Sequence, residues 1–551
     1  MIIIGNNKLD DSGMPSWDLV QKDKILSIIK LKELLAFKSR VFMESYKVSK
    51  DKKSLGLALK HIDFIDKIVD KIRSDYAAEG SKLTLSDMTI DVYENAIEIC
   101  LALAKANNDP SFKEKAYYYS EKSKGLLLLE AFQSSKASKM AGLPDAIIAE
   151  EDALRLAISD LKQQIYQLKT KGEGESDAAK ALMKEEFEKK QAYAAFTQKM
   201  KKDHADYYSA KFEFPLMNLA ETREMLSKDQ ALIEYFVGEK HIFVFKITPT
   251  EFEVYDLPNK PSFAQKTKNF RHSIYGYYLD ESNRSDELYD KYAKDYAEAA
   301  FDMYNTIVAP LGELPRRLII IPAGALTNIP FEPMLKEKPS DVKQFKSHQY
   351  MGREYIISYN YSATLLSEMR NRTHSIKRVT FLAFAPSFGA EAASAVRGKR
   401  FALAPLNFNT SEVENVSKML GTGTVLMGDD ATEENFKKMG ENYQIVHFAT
   451  HGMANDRDPD FSLLAFTEVP DDIENEFVYV SDLYNMKLNA DLVVLSACET
   501  GLGEMRKGEG VMSLARGFSY AGAKSIFTTL WSVNDQATSN IVESFYKYLK
   551  Q

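Results

Sequence analysis

Ile445-Val446-His447-Phe448-Ala449-Thr450-His451-Gly452 and Asp491-Leu492-Val493-Val494-Leu495-Ser496-Ala497-Cys498-Glu499-Thr500-Gly501 decide how this chain folds. Each is an apolar, β-branched run that stops at a reactive side chain and a glycine. Strands buried on both faces read this way, and α/β proteins place their chemistry just beyond the carboxyl ends of such strands. The expectation is that His451 and Cys498 stand side by side at the ends of neighbouring parallel strands.

Outward from these blocks the pattern alternates between strand and helix. Val379 to Phe384, Thr424 to Met427 and Ser525 to Leu530 read as strands, with helices at 411–420, 432–439 and about Val511 to Tyr520. That alternation implies a mostly parallel sheet with right-handed crossovers. Upstream, Ala231–Val237 and His241–Ile247 flank Gly238-Glu239-Lys240, a hairpin signal, and Phe252 to Leu257 adds a third strand. Helical segments near 262–309 precede further strands at Arg317–Pro322 and Ile356–Asn360.

The first third of the chain is helical. From about Trp17 to Phe132 apolar residues recur at i, i+3, i+4 and i+7, as in Ser27–Leu35 and Leu59–Val69. A second pair, Asp91 to Lys105 and Phe112 to Phe132, is broken at Asn107-Asn108-Asp109-Pro110. Paired helices suggest repeats of tetratricopeptide type, although no clean period of about 34 residues emerges, which leaves an irregular bundle as the alternative. From Pro144 to about Tyr208 two long charged helices surround Lys171-Gly172-Glu173-Gly174-Glu175-Ser176, the turn of a helical hairpin.

Composition narrows the function. The 551 residues exceed one core, and 45% hydrophobic with 27% charged residues is ordinary for a globular protein. A net charge of −8 argues against a nucleic-acid surface. Two cysteines, Cys100 and Cys498, exclude a disulfide framework and suit a reducing compartment. No run reaches the roughly 18 apolar residues of a membrane span, and the start lacks the basic region of a signal peptide. A cytoplasmic location is the expectation.

A cysteine nucleophile needs a histidine to take its proton and backbone N–H groups to hold the oxyanion. Gly452, directly after His451, lets backbone approach a substrate, and its N–H together with that of Cys498 forms the candidate oxyanion site. The alternative is a buried structural cysteine beside a core histidine. Placement at two strand ends, 47 residues apart in the order His then Cys, favours a dyad with caspase-like spacing. No metal is expected, because His447 and His451 on a strand lie about 13 Å apart at about 3.3 Å per residue. No cofactor is expected either, since Gly501-Leu502-Gly503 and Gly503–Gly508 miss the nucleotide-binding fingerprints. Gly517-Phe518-Ser519-Tyr520-Ala521 lacks the second glycine of a serine-hydrolase elbow.

The blocks at 447–452 and 495–501 resemble the CHAT domain, a caspase-like domain found with tetratricopeptide repeats. Further matches are Arg317–Leu326, Pro330-Phe331-Glu332, Gly508-Glu509-Gly510-Val511, Ala521–Ser525 and Leu530–Asp535. Glu121-Lys122-Ser123-Lys124-Gly125 and Gly142-Leu143-Pro144-Asp145 resemble the helical partner region. The resemblance implies an α/β caspase-like C-terminal domain and an all-α helical-repeat N-terminal region, in a clan with caspases, separases and gingipains. It implies helical repeats at 1–140, a charged hairpin at 144–210, a non-catalytic half at 215–375 and a catalytic half at 376–551. CHAT domains continue past Tyr548-Leu549-Lys550-Gln551 with a helix and a strand, so the catalytic half reads as truncated at its C-terminus.

The implied activity is that of a cysteine endopeptidase with a His451–Cys498 dyad, acting on a protein substrate. Its gate would be a regulatory protein or complex bound to the helical repeats, with no membrane and no direct nucleic-acid partner. The alternative is a non-proteolytic scaffold whose caspase-like part docks or signals. Ser496 stands where caspases carry Gln, and an extra residue precedes Gly501, so aspartate specificity does not carry over. Asp535 and Glu499 are candidate acidic pocket residues favouring a basic P1 side chain. For Asp535, capping of the following helix is the competing explanation.

Overall fold

The structure is a computed structural model that describes residues 9–10, 13–21, 27–76, 79–140, 143–212, 215–279, 284–372, 380–388, 403–421, 423–455, 457–467, 476–498, 500–531 and 533–550. The helices Ile28–Ser49 and Lys52–Asp75 pack as a pair, each begun by a side chain that accepts a first-turn N–H, Ser27 and Asp51. Ile90–Asn107 and Ser111–Lys122 form the next pair, joined through Asn108 in the left-handed region (φ 52°). The single helix expected over Phe112–Phe132 is instead two, Ser111–Lys122 and Leu126–Met140. Gly125 breaks it at φ 58°, and its N–H leaves the helical ladder to donate to the Gly508 carbonyl at 2.7 Å. Asp145–Thr170 and Asp177–Asp203 form the long hairpin, with Ser176 capping the second helix.

The first sheet contains β1 (Gln230–Val237), β2 (His241–Ile247), β3 (Phe252–Pro258), β4 (Arg317–Ile321) and β5 (Ile356–Tyr359). Its order is β3-β2-β1-β4-β5, antiparallel within β1–β3 and parallel from β1 through β4 to β5. Side chains alternate between two cores. Ile233, Tyr235, Ile242 and Val244 pack on Phe263–Leu279 and Asp286–Ile307. Leu232, Phe236, Phe243 and Phe245 share a continuous core with Leu55, Ile62, Tyr93 and Ile97 of the N-terminal helices. The helical region is therefore fused to this sheet rather than tethered to it. Glu94 strengthens the seam, its carboxylate accepting from the amides of Glu239, Lys240 and His241 at 2.8–2.9 Å.

The second part carries β6 (Phe381–Ala385), β7 (Thr424–Met427), β8 (Ile445–Ala449), β9 (Gly452–Met453), β10 (Leu463–Ala465), β11 (Phe477–Tyr479), β12 (Leu492–Ser496), β13 (Gly503–Arg506), β14 (Gly510–Ser513) and β15 (Ser525–Phe527). Its main sheet runs β15-β12-β8-β6-β7, with every pairing parallel. The caspase-like α/β class expected from the sequence is observed. From β6 the chain winds first outward to β7 and then back to β8 on the other side. The crevice above the carboxyl ends of β6 and β8 is thus the switch point where open α/β sheets hold ligands.

Two features differ from the sequence reading. The segment from Val511 does not start a helix: β13 and β14 form a hairpin turned at Gly508 and Gly510 (φ 79° and 80°), and the helix is Leu514–Ala521, capped by Ser513. The antiparallel sheet β11-β10-β9 was not anticipated, because strands of two or three residues leave no periodic signal. Among the described residues no helix is long and apolar enough to cross a membrane.

Candidate functional site

Register places the two reactive residues. β8 and β12 pair in parallel with Ala449 opposite Ser496, so the chains leave the sheet together and turn at His451 and Cys498. The Thr450 N–H still reaches the Ser496 carbonyl at 3.3 Å. Gly452 then comes so close to the cysteine turn that a Cβ there would lie 2.8 Å from the Cys498 carbonyl oxygen and 2.9 Å from the Thr500 methyl. Only glycine fits that approach.

The same register directs the Gly452 N–H. Ala465 donates to the His451 carbonyl at 2.9 Å, while Gly452 faces Leu464 in the next pair along β9–β10. In antiparallel ladders hydrogen-bonded and non-bonded pairs alternate, so the N–H of Gly452 points away from β10.

The cysteine turn is held firmly. Thr500 is fully buried, its hydroxyl accepting from the Thr529 N–H at 3.1 Å, and Gly501 donates to the Thr529 carbonyl at 2.8 Å. The half-buried Cys498 Sγ accepts the Val533 N–H at 3.4 Å. The same sulfur lies 4.0 Å from the Val533 carbonyl oxygen. Cys100 is the contrast: it is fully buried, and desolvation pushes its thiol up to about 12.

The His451 ring lies between two elements from the other side of the crevice. Its Nε2 is 2.7 Å from the Ala404 carbonyl oxygen, and its ring packs against Phe388 at 4.8 Å, just beyond β6. A carbonyl only accepts, so Nε2 is the donor and Nδ1 is the nitrogen left for any other partner. The Ala404 carbonyl thus fixes the orientation of the ring. His447 is not part of this arrangement. It is buried inside the sheet, bonded to Glu412 at 2.8 Å and to the Tyr546 hydroxyl at 3.1 Å.

Asp535 lies next to the site in an unexpected role. Asn534 caps the helix Asp535–Leu549, and the Asp535 carboxylate accepts the N–H groups of Asn407 at 2.9 Å and Phe408 at 3.0 Å. It anchors the loop that carries Ala404, and through that loop it bears on His451. Glu499 lies outside the described residues. The segment Val533–Asp535 therefore bears on both Cys498 and His451, on the first through sulfur and on the second through the 404–408 loop. Sequence reasoning missed Ala404 and Val533 because both act through backbone atoms. No group of His, Cys, Asp and Glu suited to a metal occurs among the described residues.

A second set of residues ties this region to the helices. The β13–β14 turn carries Glu509, buried and paired with Arg516 at 2.7 Å. The same carboxylate accepts the Leu127 N–H at 3.1 and 3.3 Å and the Ser86 hydroxyl at 3.4 Å. A few residues earlier, Lys124 bridges Ser120 and Glu234 of β1, both at 2.7 Å, and Glu121 accepts the Ala363 and Thr364 amides at 2.8 and 3.1 Å. Residues 120–127 thus hold the first sheet and the β13–β14 hairpin at once. Burial, reinforced by the nearby Glu234, pushes the Glu121 carboxyl up to about 8.

Residues 297–551 match the CHAT domain family, and the chain carries that domain behind its helical region. The chain is 25% identical over 293 residues to tetratricopeptide repeat protein 28 of Homo sapiens, covering 45% of this chain and 11% of that protein. The Mus musculus protein of the same name is 25% identical over 181 residues, 27% of this chain and 7% of the relative. The chain thus matches only a small part of the length of these relatives.

Proposed function

We propose that the CHAT domain of this chain is a cysteine endopeptidase. Cys498 attacks the scissile carbonyl, His451 accepts the thiol proton through Nδ1 and returns it to the leaving amine, and the N–H groups of Gly452 and Cys498 bind the oxyanion. The observation that carries this reading is the close approach of Gly452 to the Cys498 carbonyl, which would tolerate no side chain. A buried structural cysteine would need no such approach. A partner protein bound to the helical region gates the site, working through residues 120–127 and the Glu509 turn. The helical relatives, named for tetratricopeptide repeats, support a protein-binding role for that region.

The scaffold reading is supported by one feature: the protein's own backbone engages both Nε2 of His451 and Sγ of Cys498. Reaction with a peptidyl acyloxymethyl ketone, read by intact mass, separates the two. A nucleophile takes one adduct at Cys498, which Cys498→Ala abolishes and His451→Ala slows by orders of magnitude. Cys100 is too deeply buried to compete. Equal labelling of wild type and His451→Ala by the probe would sink the peptidase assignment.

A further inference from the structure

One side of the helix Asp145–Thr170 lies against the CHAT domain, and its contacts recur at helical spacing. Asp152, Arg155, Ser159, Lys162 and Tyr166 follow one another at steps of three or four residues, which aligns them along one face. Asp152 pairs with Lys487 at 3.5 Å and Lys162 with Asp460 at 3.2 Å. Arg155 donates to the Tyr484 carbonyl at 2.9 Å and Ser159 to the Ser481 carbonyl at 3.4 Å. Tyr166 completes the row. Its ring stacks on Phe461 with centroids 3.6 Å apart and planes 5° from parallel, and its hydroxyl accepts from the Asn455 side-chain amide at 3.0 Å.

Asn455 and Phe461 stand at the two ends of one loop. The loop leaves β9, whose first residue is Gly452, and returns to β10 at Leu463. β9 and β10 pair through Met453 with Leu463 and Gly452 with Leu464. One side chain of the hairpin therefore fastens both ends of the loop that continues from Gly452. Asn455 commits its other groups to the loop itself: its N–H donates to the Ser462 hydroxyl at 2.9 Å, and its side-chain oxygen accepts the Arg457 and Asp458 amides at 3.1 and 3.0 Å. The loop is thus a folded unit, and Tyr166 and Lys162 fix that unit to the hairpin.

The attachment is of a kind that opens. The apolar residues of the hairpin, among them Ile147, Leu154, Phe196 and Met200, pack on one another and on Tyr207. Among the described residues, no residue of the hairpin belongs to the apolar cores of the β15-β12-β8-β6-β7 sheet. The first helices are the contrast, because their core is continuous with the first sheet. A seam of hydrogen bonds, ion pairs and one ring stack separates without uncovering a core, and such segments open far more readily than the whole protein unfolds.

We propose that the hairpin is a detachable clamp on the β9–β10 loop, with Tyr166 as the positioning residue that keeps Gly452 at the cysteine turn. Docked, the clamp holds the Gly452 N–H where an oxyanion donor must stand; undocked, the loop slackens and that donor loses its place. This control point is separate from the Glu509 junction. Its kinetic half rests on the peptidase reading, and its mechanical half does not.

Hydrogen exchange on the full chain tests the mechanical half. Tyr166→Ala is expected to raise exchange at least tenfold over 452–464 and to leave 190–203 and the melting temperature unchanged. Tyr166→Phe, which keeps the ring stack, is expected to raise it less. Lys162→Glu, set against Asp460, is expected to repeat the effect, and Asp460→Lys in the same chain to reverse it. That charge swap keeps the test valid if Tyr166→Ala does not fold. The kinetic half is read with the peptidyl acyloxymethyl ketone. Tyr166→Ala is expected to lower the maximal rate of Cys498 labelling at least tenfold, with the half-saturating concentration changed less than threefold. Alkylation by iodoacetamide, which needs no oxyanion donor, is expected to change less than threefold. Wild-type exchange over 452–464 in both Tyr166→Ala and Lys162→Glu would overturn the clamp. Raised exchange with a wild-type ketone rate, or equal losses with the two reagents, would overturn the positioning role. A wild-type chain that takes no ketone adduct sinks the peptidase reading, and exchange alone then decides the clamp.

Discussion

Glu509→Gln tests whether residues 120–127 and the β13–β14 turn form one energetic unit. Glu509 and Arg516 have side chains only 1% and 3% exposed, and the carboxylate also receives the Leu127 and Ser86 donors. Removing one partner of a buried ion pair costs about 3–5 kcal/mol, because the other charge is left uncompensated. Glutamine keeps one acceptor oxygen, which recovers about 1 kcal/mol, but turns its NH2 toward either Arg516 or the Leu127 N–H. The net expectation is a loss of about 2–4 kcal/mol, or roughly 30- to 700-fold in the local opening equilibrium at 1.4 kcal/mol per decade. Hydrogen exchange with mass spectrometry on the full chain reads this directly. Protection should fall together over 120–127 and 503–513 and hold in β8 and β12. Replacing both charges, Glu509→Leu with Arg516→Leu, should restore much of the stability, since a well-packed apolar pair tolerates burial. Exchange in Glu509→Gln within threefold of wild type over both segments would refute the reasoning.

Gly452→Ala should leave the chain folded but lower the labelling rate of Cys498 by about 10²–10³, the usual effect of displacing one oxyanion donor; labelling at the wild-type rate would remove Gly452 from the site. Asp535→Ala frees the 404–408 loop and should slow labelling about 10- to 100-fold, the effect of a small misplacement of His451. Asp535→Asn, whose carbonyl oxygen can still accept from Asn407 and Phe408, should restore the rate and the pH profile; a substrate-pocket acid would not be rescued this way. Glu121 carries the pH dependence. Its carboxyl, raised to about 8 by burial, favours the folded state fully below the ordinary value of 4.5 and loses that contribution as pH rises through 8. Thermal scans from pH 5 to 8.5 should show a falling melting temperature, with a flatter slope in Glu121→Gln.

The helical core shared with the first sheet changes how gating can be tested. Excising residues 215–551 would uncover Phe236, Phe243 and Phe245, which pack against the N-terminal helices. Loss of activity in such a fragment would report misfolding, not regulation. Point changes at Glu509 or Glu121 perturb the junction and leave that core in place.

The strands of the main sheet were legible because they are buried on both faces and so read as unbroken apolar runs, and their alternation with helices determined the fold class. The positions of His451 and Cys498 at strand ends follow from the same local pattern. The helix break at Gly125 and the hairpin at Gly503–Ser513 were not legible. Both depend on contacts with residues hundreds of positions away, Gly508 in one case and Ser86 and Leu127 in the other. Ala404, Val533 and the role of Asp535 as a loop anchor were hidden for a further reason. Backbone groups carry no residue identity, so what a carbonyl or N–H faces is decided only when the loops pack. By itself the sequence determined which side chains can react and which strands carry them; tertiary structure decided what faces the His451 ring, what touches the sulfur, and how residues 120–127 grip the first sheet and the β13–β14 hairpin.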